Sequence, residues 1–158
     1  MRTSLPLVVA ITASCSGAID GGATEPDSAE PAGPTGPERS VEIKGPAVLA
    51  HVQRFANSVC GATNACTIST YVGHDPSADR AIDILVSDGF GRLPSDGNAL
   101  GDKVAEFALS QKTEDGIMYV IWRQRINLGG DWRAMEDRGG ITKNHYDHVH
   151  VSFETTAP

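Results

Sequence analysis

Three of the five histidines lie near the end of the chain, in the segment NHYDHVHVSF (144–153). His148 and His150 are two positions apart in a run that alternates polar and apolar residues, as a half-buried β-strand does. Side chains two apart on a strand point to the same face. The two imidazoles are therefore neighbours, which suits a metal site or acid–base catalysis, or else an ordinary solvated strand face.

A carboxylate interrupts the most apolar segment of the chain, RAIDILV (80–86). An ionised Asp83 in such a strand costs several kcal/mol to desolvate unless it is paired, hydrogen-bonded or bound to a cation. Arg80 is one available partner. His74 is another, because its loop of Gly, Pro and Ser leads directly into this strand. A loop histidine, a strand aspartate and a later HxH pair together predict a zinc site that leaves one position for water.

This set of residues resembles the metallopeptidases grouped around lysostaphin, the D-alanyl-D-alanine carboxypeptidases and the hedgehog signalling domain. Those proteins share a histidine, a later aspartate and a C-terminal HxH motif. The resemblance implies that the zinc ligands are His74, Asp83 and His150. It also implies that His148 is the general base or stabilises the transition state. The preceding DRGG (137–140) and the terminal segment are similar to C-terminal domains of uncharacterised secreted actinobacterial proteins.

The segment SADRAID (77–83) is similar to a motif of the carboxypeptidase-like members. This similarity implies that Arg80 holds substrate or developing charge and that Ser77 lies near the substrate. Asp147 is expected to order the terminal loop or to accept a hydrogen bond from a metal-bound imidazole. His74 and Asp83 are nine positions apart, two more than is usual in that family. Either a bulge accommodates the extra residues or the first ligand is lost.

Two functions follow from these residues. The first is an exported zinc-dependent peptidase that hydrolyses amide bonds in peptidoglycan peptides, as a D,D-carboxypeptidase or an endopeptidase. The second is a catalytically inactive cell-wall-binding or interaction module with the same fold, which the longer spacing favours.

Other candidate residues have weaker signals. His145 is expected in a loop or at the rim of the site, and His51 on the surface of a helix. A substrate groove has four candidate lining residues, of which the tryptophans are also candidates for the core: Trp122, Gln124, Trp132 and Arg138.

The first fifteen residues, MRTSLPLVVAITASC, are typical of a secretory signal peptide, of lipoprotein type if Cys15 is lipidated. The apolar run is far shorter than the roughly 20 residues of a membrane-spanning helix. Residues 16–44 are rich in Gly, Pro and acids and are predicted to form a disordered linker. Cys60 and Cys66 are predicted to form a disulfide, which suits an exported domain at the cell surface or outside the cell.

The catalytic domain is predicted to span 45–158 and to be α+β, with helices packed on a mainly antiparallel sheet. The resemblance implies a hedgehog/DD-peptidase-like version of this class. Apolar spacing predicts one helix over 46–59 and another that begins at Asp96 or Asn98. Four segments have the pattern of strands: TISTYV, AIDILVS, GIMYVIW and HVHVSF.

The net charge of −7 and the lack of a basic stripe exclude nucleic acid as an expected partner. The expected partner is a peptidoglycan peptide, with membrane contact only through a lipid on Cys15. We expect a monomer.

Overall fold

The structure is a computed structural model that describes residues 40–158. The predicted signal peptide, Cys15 and the linker up to residue 39 lie outside the described residues. In the described part, seven strands and two helices follow one another along the chain. They are β1 (Ile43–Lys44), α1 (Ala50–Thr63), β2 (Ile68–Ser69), β3 (Ala81–Leu85), α2 (Ala99–Ser110), β4 (Ile117–Trp122), β5 (Arg125–Asn127), β6 (Arg133–Ala134) and β7 (His148–Phe153). The α+β prediction is confirmed.

The strands form one sheet in the order β1-β2-β3-β7-β4-β5-β6. Only β1 and β2 are parallel among the described strands, so the sheet is mainly antiparallel, as predicted. The last strand, β7, lies in the middle of the sheet, between β3 and β4. All six of its residues are buried for that reason. The histidine pair therefore sits at the centre of the domain.

The two faces of the sheet carry different side chains. One face carries Ile82 and Ile84 of β3 and Val149 and Val151 of β7, which pack against both helices in the hydrophobic core. The other face carries Asp83 and the two strand histidines, because side chains alternate along each strand. One face thus forms the core, and the opposite face carries the candidate site residues.

The folded domain starts earlier than the predicted residue 45. Ile43 pairs with Ile68 in the sheet, and the Val41 N–H donates to Asn57 Oδ1 at 2.9 Å. Val41 and Ile43 are both partly buried against the core. The prediction of a disordered linker up to residue 44 is wrong over these last residues, because two apolar side chains in alternation give a short strand enough to bury.

The helix α1 begins later than predicted, whereas α2 begins where the sequence indicated. Leu49 has extended backbone angles and donates its N–H to Asp79 O at 3.0 Å, so α1 begins at Ala50 and not at Pro46. Asn98, one of the two predicted cap residues, is the N-cap residue of α2, and Asp96 Oδ2 accepts the Leu100 N–H at 2.8 Å. His51 is buried within α1 and its Nε2 contacts Glu154 O at 3.1 Å, so the expectation of a surface histidine is wrong.

Cys60 and Cys66 form the predicted disulfide across the end of α1. Neither α1 nor α2, the helices of residues 40–158, has the length and apolar character needed to cross a membrane.

Replacing Gly101 with alanine should destabilise the domain. A Cβ at this position would lie 2.0 Å from a ring carbon of Trp122, which is 1% exposed and cannot move away. Overpacking of this kind costs about 1–3 kcal/mol. Gly61→Ala in α1 is the matched control, because no atom lies within 4 Å of its added Cβ and alanine favours a helix by roughly 0.5–1 kcal/mol. Chemical denaturation should give opposite signs for the two variants, and a stable Gly101→Ala protein would contradict the packing.

Candidate metal centre

Three side-chain atoms from distant parts of the chain converge on the polar face of the sheet. His74 Nε2 lies 3.1 Å from Asp83 Oδ1 and 3.0 Å from His150 Nδ1, and the last two atoms are 3.0 Å apart. All three residues are buried, and their donor atoms form a group able to hold a metal ion. Asp83 and His150 face each other directly in the β3–β7 register. The predicted ligand set is thus assembled in space.

The loop between β2 and β3 brings His74 to the other two residues. The His74 N–H donates to Tyr71 O at 3.1 Å, which closes a turn, and the Tyr71 ring stacks on the imidazole at 4.3 Å. The nine-residue distance from His74 to Asp83 therefore does not separate them. The structure therefore supports the first of the two alternatives for this spacing, in which the loop accommodates the two extra residues and His74 is kept near Asp83.

The protonation of His74 follows from Thr70. A hydroxyl has one hydrogen, and Thr70 Oγ1 donates it to Ala78 O at 2.8 Å. The same oxygen lies 3.1 Å from His74 Nδ1, so it accepts there and Nδ1 carries the ring proton. In the neutral imidazole, Nε2 then presents its lone pair towards Asp83.

His150 is oriented in the same manner by Ser152. Ser152 Oγ donates its hydrogen to Asp75 O at 3.1 Å and lies 2.8 Å from His150 Nε2, so it accepts from that nitrogen. His150 Nδ1 then presents a lone pair to the same centre. Burial lowers the pKa of His150, and the nearby His74 and His148 lower it further, although Asp83 has the opposite effect. The lowered pKa favours the neutral ring.

Two lone pairs and one carboxylate oxygen that lie about 3 Å apart repel one another unless a cation is shared among them. A single proton can bridge only one pair of these atoms, whereas a metal ion contacts all three. In a tetrahedral zinc site, ligand atoms about 2.0–2.2 Å from the ion are roughly 3.3 Å apart, close to the observed separations. The residues present therefore fit a metal ion.

His148 lies beside this group without belonging to the triangle. Its Nδ1 is 2.6 Å from Asp147 Oδ1, and because a carboxylate only accepts, Nδ1 carries the proton. Its Nε2 is left free, 3.5 Å from Asp83 Oδ1. Asp147 is fully buried, and its Oδ2 also accepts from Thr142 Oγ1 and the Gly91 N–H. The expected orienting function of Asp147 is consistent with these contacts.

Two predicted site residues lie elsewhere. Arg80 precedes β3, and its Nε donates to Ser77 Oγ at 3.2 Å. Neither residue is among those that line the cleft over the metal centre in residues 40–158, and Asp83 has no ion pair with Arg80. The lining of the cleft therefore does not support the assignment of Arg80 and Ser77 to the substrate, which stays a prediction. Positions three apart on an extended strand lie on opposite faces, which separates Arg80 from Asp83.

The cleft has a volume of about 710 Å³ and opens above the metal centre. Exposed side chains of Tyr71, Phe90 and Leu128 give it an apolar rim. The Phe90 ring packs edge-on against His148 at 5.4 Å. Of the four groove candidates, Arg138 lines the cleft, whereas Trp122 is buried in the core. Trp132 and Gln124 do not line it.

His145 lies deeper in the site than its loop position indicated. Its ring is 4.8 Å from that of His148 and 5.7 Å from that of His150. Burial, then His148 and His150, lower the pKa of His145 to about 3, so this imidazole is neutral. Within residues 40–158, its Nδ1 is buried without a hydrogen-bond partner, which costs about 1–3 kcal/mol. The local sequence gave no signal beyond the histidine itself.

Tyr119 of β4 is a further residue that sequence reasoning missed. It is opposite Ser152 in the sheet, so it shares a face with His150, and the two rings stack at 5.8 Å. Its hydroxyl donates to Asp75 Oδ2 at 2.5 Å. Burial and this hydrogen bond raise the pKa of Tyr119 to about 12. A polar ring on an otherwise apolar strand was the available signal.

Residues 44–146 match the VldE C-terminal domain family, so the matched region includes His74 and Asp83 and ends before β7. An "Uncharacterized secreted protein" of Arthroderma benhamiae is 39% identical over 59 residues. That similarity covers 32% of this chain and 24% of the fungal protein, so the chain spans about a quarter of that relative. No solved structure matches the chain.

Proposed function

This chain belongs to the VldE C-terminal domain family, and we propose that it is an exported zinc-dependent peptidase that hydrolyses amide bonds in peptidoglycan peptides. The observation that carries this proposal is the direction of the lone pairs at the metal centre. Thr70 and Ser152 turn the free nitrogens of His74 and His150 towards Asp83 Oδ1. Such outer hydrogen bonds fix the tautomer of metal-binding histidines.

Zinc is the ion that this set suits best, because two imidazoles and one carboxylate favour it over calcium or magnesium. A bound zinc ion would supply Lewis-acid activation of water and of the scissile carbonyl. The chain itself supplies three ligands, which leaves a coordination position open as in hydrolytic sites.

His148 is the residue that handles the proton. Asp147 holds its Nδ1–H, so Nε2 is free to accept a proton at the edge of the metal centre. The buried carboxylate of Asp147 stabilises the His148 ring while it carries this extra proton. The same proton then passes to the leaving amine. This pairing of a histidine with a buried, fully hydrogen-bonded carboxylate supports catalysis more than a binding role.

The substrate class and location depend on three further features. The open cleft of about 710 Å³ is of a size that holds a short peptide. The disulfide suits an oxidising environment, as do the signal-like first residues and the secreted fungal relative. Peptidoglycan itself comes from the resemblance to lysostaphin, the D-alanyl-D-alanine carboxypeptidases and hedgehog, whose version of the α+β fold we propose for this domain.

Removal of the metal should abolish hydrolysis. Protein dialysed against a strong chelator is expected to lose at least about 10³-fold in activity on cross-linked muropeptides, since Lewis-acid catalysis supplies several kcal/mol. One equivalent of Zn²⁺ should restore it, whereas Mg²⁺ or Ca²⁺ should not. Product release is measured by chromatography and metal content by mass spectrometry.

Protein that binds one zinc ion and releases no product under any metal supplementation would contradict the peptidase proposal. That result would favour the inactive cell-wall-binding module. Protein that binds no zinc at all would contradict the metal site itself.

A further inference from the structure

The cleft of this acidic protein carries two positive charges beside the metal centre. Among its lining residues within 40–158, the groups that are charged apart from the imidazoles are Asp75, Asp83, Arg138 and Lys143. Asp83 belongs to the metal centre, and Asp75 accepts the hydroxyl of Tyr119. Asp75 keeps its negative charge in that hydrogen bond, so the cleft offers a ligand two cations and one carboxylate that Tyr119 already engages, although the net charge of the chain is −7.

Neither cation is strongly engaged by the protein. Within the described residues, the one ion pair of Arg138 joins its Nε to Glu136 Oε1 at 3.9 Å, and the two side chains are 45% and 82% exposed. Such a pair contributes little. Lys143 makes no ion pair in this part of the chain. Both side chains are available to a bound molecule.

The backbone beneath Arg138 is held in place by a buried amide. Asn144 Oδ1 accepts the Arg138 N–H at 2.8 Å, and Asn144 Nδ2 donates to Asp137 Oδ1 at 2.7 Å. The Asn144 N–H also donates to Gly140 O at 3.1 Å, which closes the loop. Gly139 and Gly140 have φ values of 73° and 119°, and such positive φ angles suit glycine. The loop thus presents Arg138 from a fixed base.

Both cations line the same cleft as the reacting groups. Arg138 and Lys143 belong to its wall together with His145, His148 and His150. The His145 ring lies 4.8 Å from that of His148 and 5.7 Å from that of His150. The two cations therefore share one cavity with the metal centre.

We propose that Arg138 and Lys143 form a subsite for a carboxylate of the peptide substrate, close to the bond that is cut. The inference rests on the proposed peptidase function and specifies its substrate class as peptides with a free carboxylate. A guanidinium pairs with a carboxylate through two parallel hydrogen bonds, and an ammonium adds a third charged donor. The carboxylate is either the C-terminal one, which makes the protein a carboxypeptidase, or that of an acidic side chain.

Three matched peptides of peptidoglycan type test the subsite and its source of carboxylate. The first has a free C-terminus and an acidic side chain, the second has the C-terminus amidated, and the third has the side chain amidated. The wild-type protein should prefer the peptide that keeps the recognised carboxylate by roughly tenfold or more in kcat/KM. High salt should reduce that preference, because exposed charges are screened.

Arg138→Gln and the double variant R138Q/K143Q should raise KM for the preferred peptide by about tenfold or more and leave the amidated peptide nearly unchanged. Arg138→Lys should retain part of the preference. Arg133→Gln is the matched control, since Arg133 is exposed on β6 and does not line the cleft. Equal kcat/KM values of the wild-type protein for all three peptides would overturn the subsite. An equal loss of kcat/KM on all three peptides in R138Q would overturn it too.

Equilibrium binding of the same peptides to zinc-loaded protein, measured by calorimetry, separates this inference from the peptidase proposal. A carboxylate preference in binding that is lost in R138Q, without any turnover, would count against the peptidase and support the subsite. Turnover without a carboxylate preference would sustain the peptidase and reject the subsite. Absence of both would reject both.

Discussion

Asp83→Asn is expected to lower the affinity for zinc by at least about 10²-fold, because even groups that only orient metal ligands contribute that much. Hydrolysis should fall with it. Asp83 Oδ1 is the anionic atom of the triangle, 3.1 Å from His74 Nε2 and 3.0 Å from His150 Nδ1. The asparagine NH₂ would turn towards these two lone pairs and hydrogen-bond to them. The variant therefore loses a ligand and also stabilises the metal-free state.

The stabilisation of the metal-free state distinguishes loss of the ligand from loss of the fold. Metal-free Asp83→Asn protein should unfold at the same temperature as metal-free wild-type protein or at a higher one. Zinc affinity is measured by competition with a chelating dye, and stability by thermal unfolding. Asp88→Asn, which changes an exposed carboxylate shortly after β3, is the matched control and should bind zinc normally. Normal zinc affinity in Asp83→Asn would rule out this metal centre.

Asp147→Asn is expected to lower kcat/KM by about 10²-fold or more while zinc stays bound. The Gly91 N–H and the Thr142 hydroxyl both donate to Oδ2, so the amide oxygen of an asparagine has to occupy that position. Its NH₂ group then faces His148 Nδ1 and donates to it. The ring proton moves to Nε2, and His148 can no longer accept a proton beside the metal centre.

Zinc content and the KM-against-kcat split separate this effect from general damage. A loss confined to kcat, with one zinc ion retained, supports proton transfer by His148. Asp131→Asn, at an exposed position outside the cleft, should behave as wild-type protein. Full activity in Asp147→Asn would show that the tautomer of His148 does not matter, and loss of zinc would assign Asp147 to the metal centre instead.

Two of the three candidate metal ligands could be predicted from the sequence because Asp83 and His150 lie on strands with a local pattern. Alternation along HVHVSF places His148 and His150 on one face, and a carboxylate in the apolar β3 needs a partner. Arg80, the other partner that the sequence offered, makes no ion pair with Asp83 in residues 40–158. The nine-residue spacing between His74 and Asp83 could not predict whether His74 reaches the site, because a loop of that length has many conformations. The contacts of Thr70 and Tyr71 with His74 select one of them.

The sequence by itself determined the α+β class, the strand that carries the histidines and the disulfide. These features depend on periodicity and on spacing along the chain, which are local. Only the tertiary structure decided that β7 enters the middle of the sheet, that Tyr119 and Arg138 line the cleft and that His145 packs against His148. Those placements depend on strand order and loop closure, which are set by the packing of residues far apart in the chain.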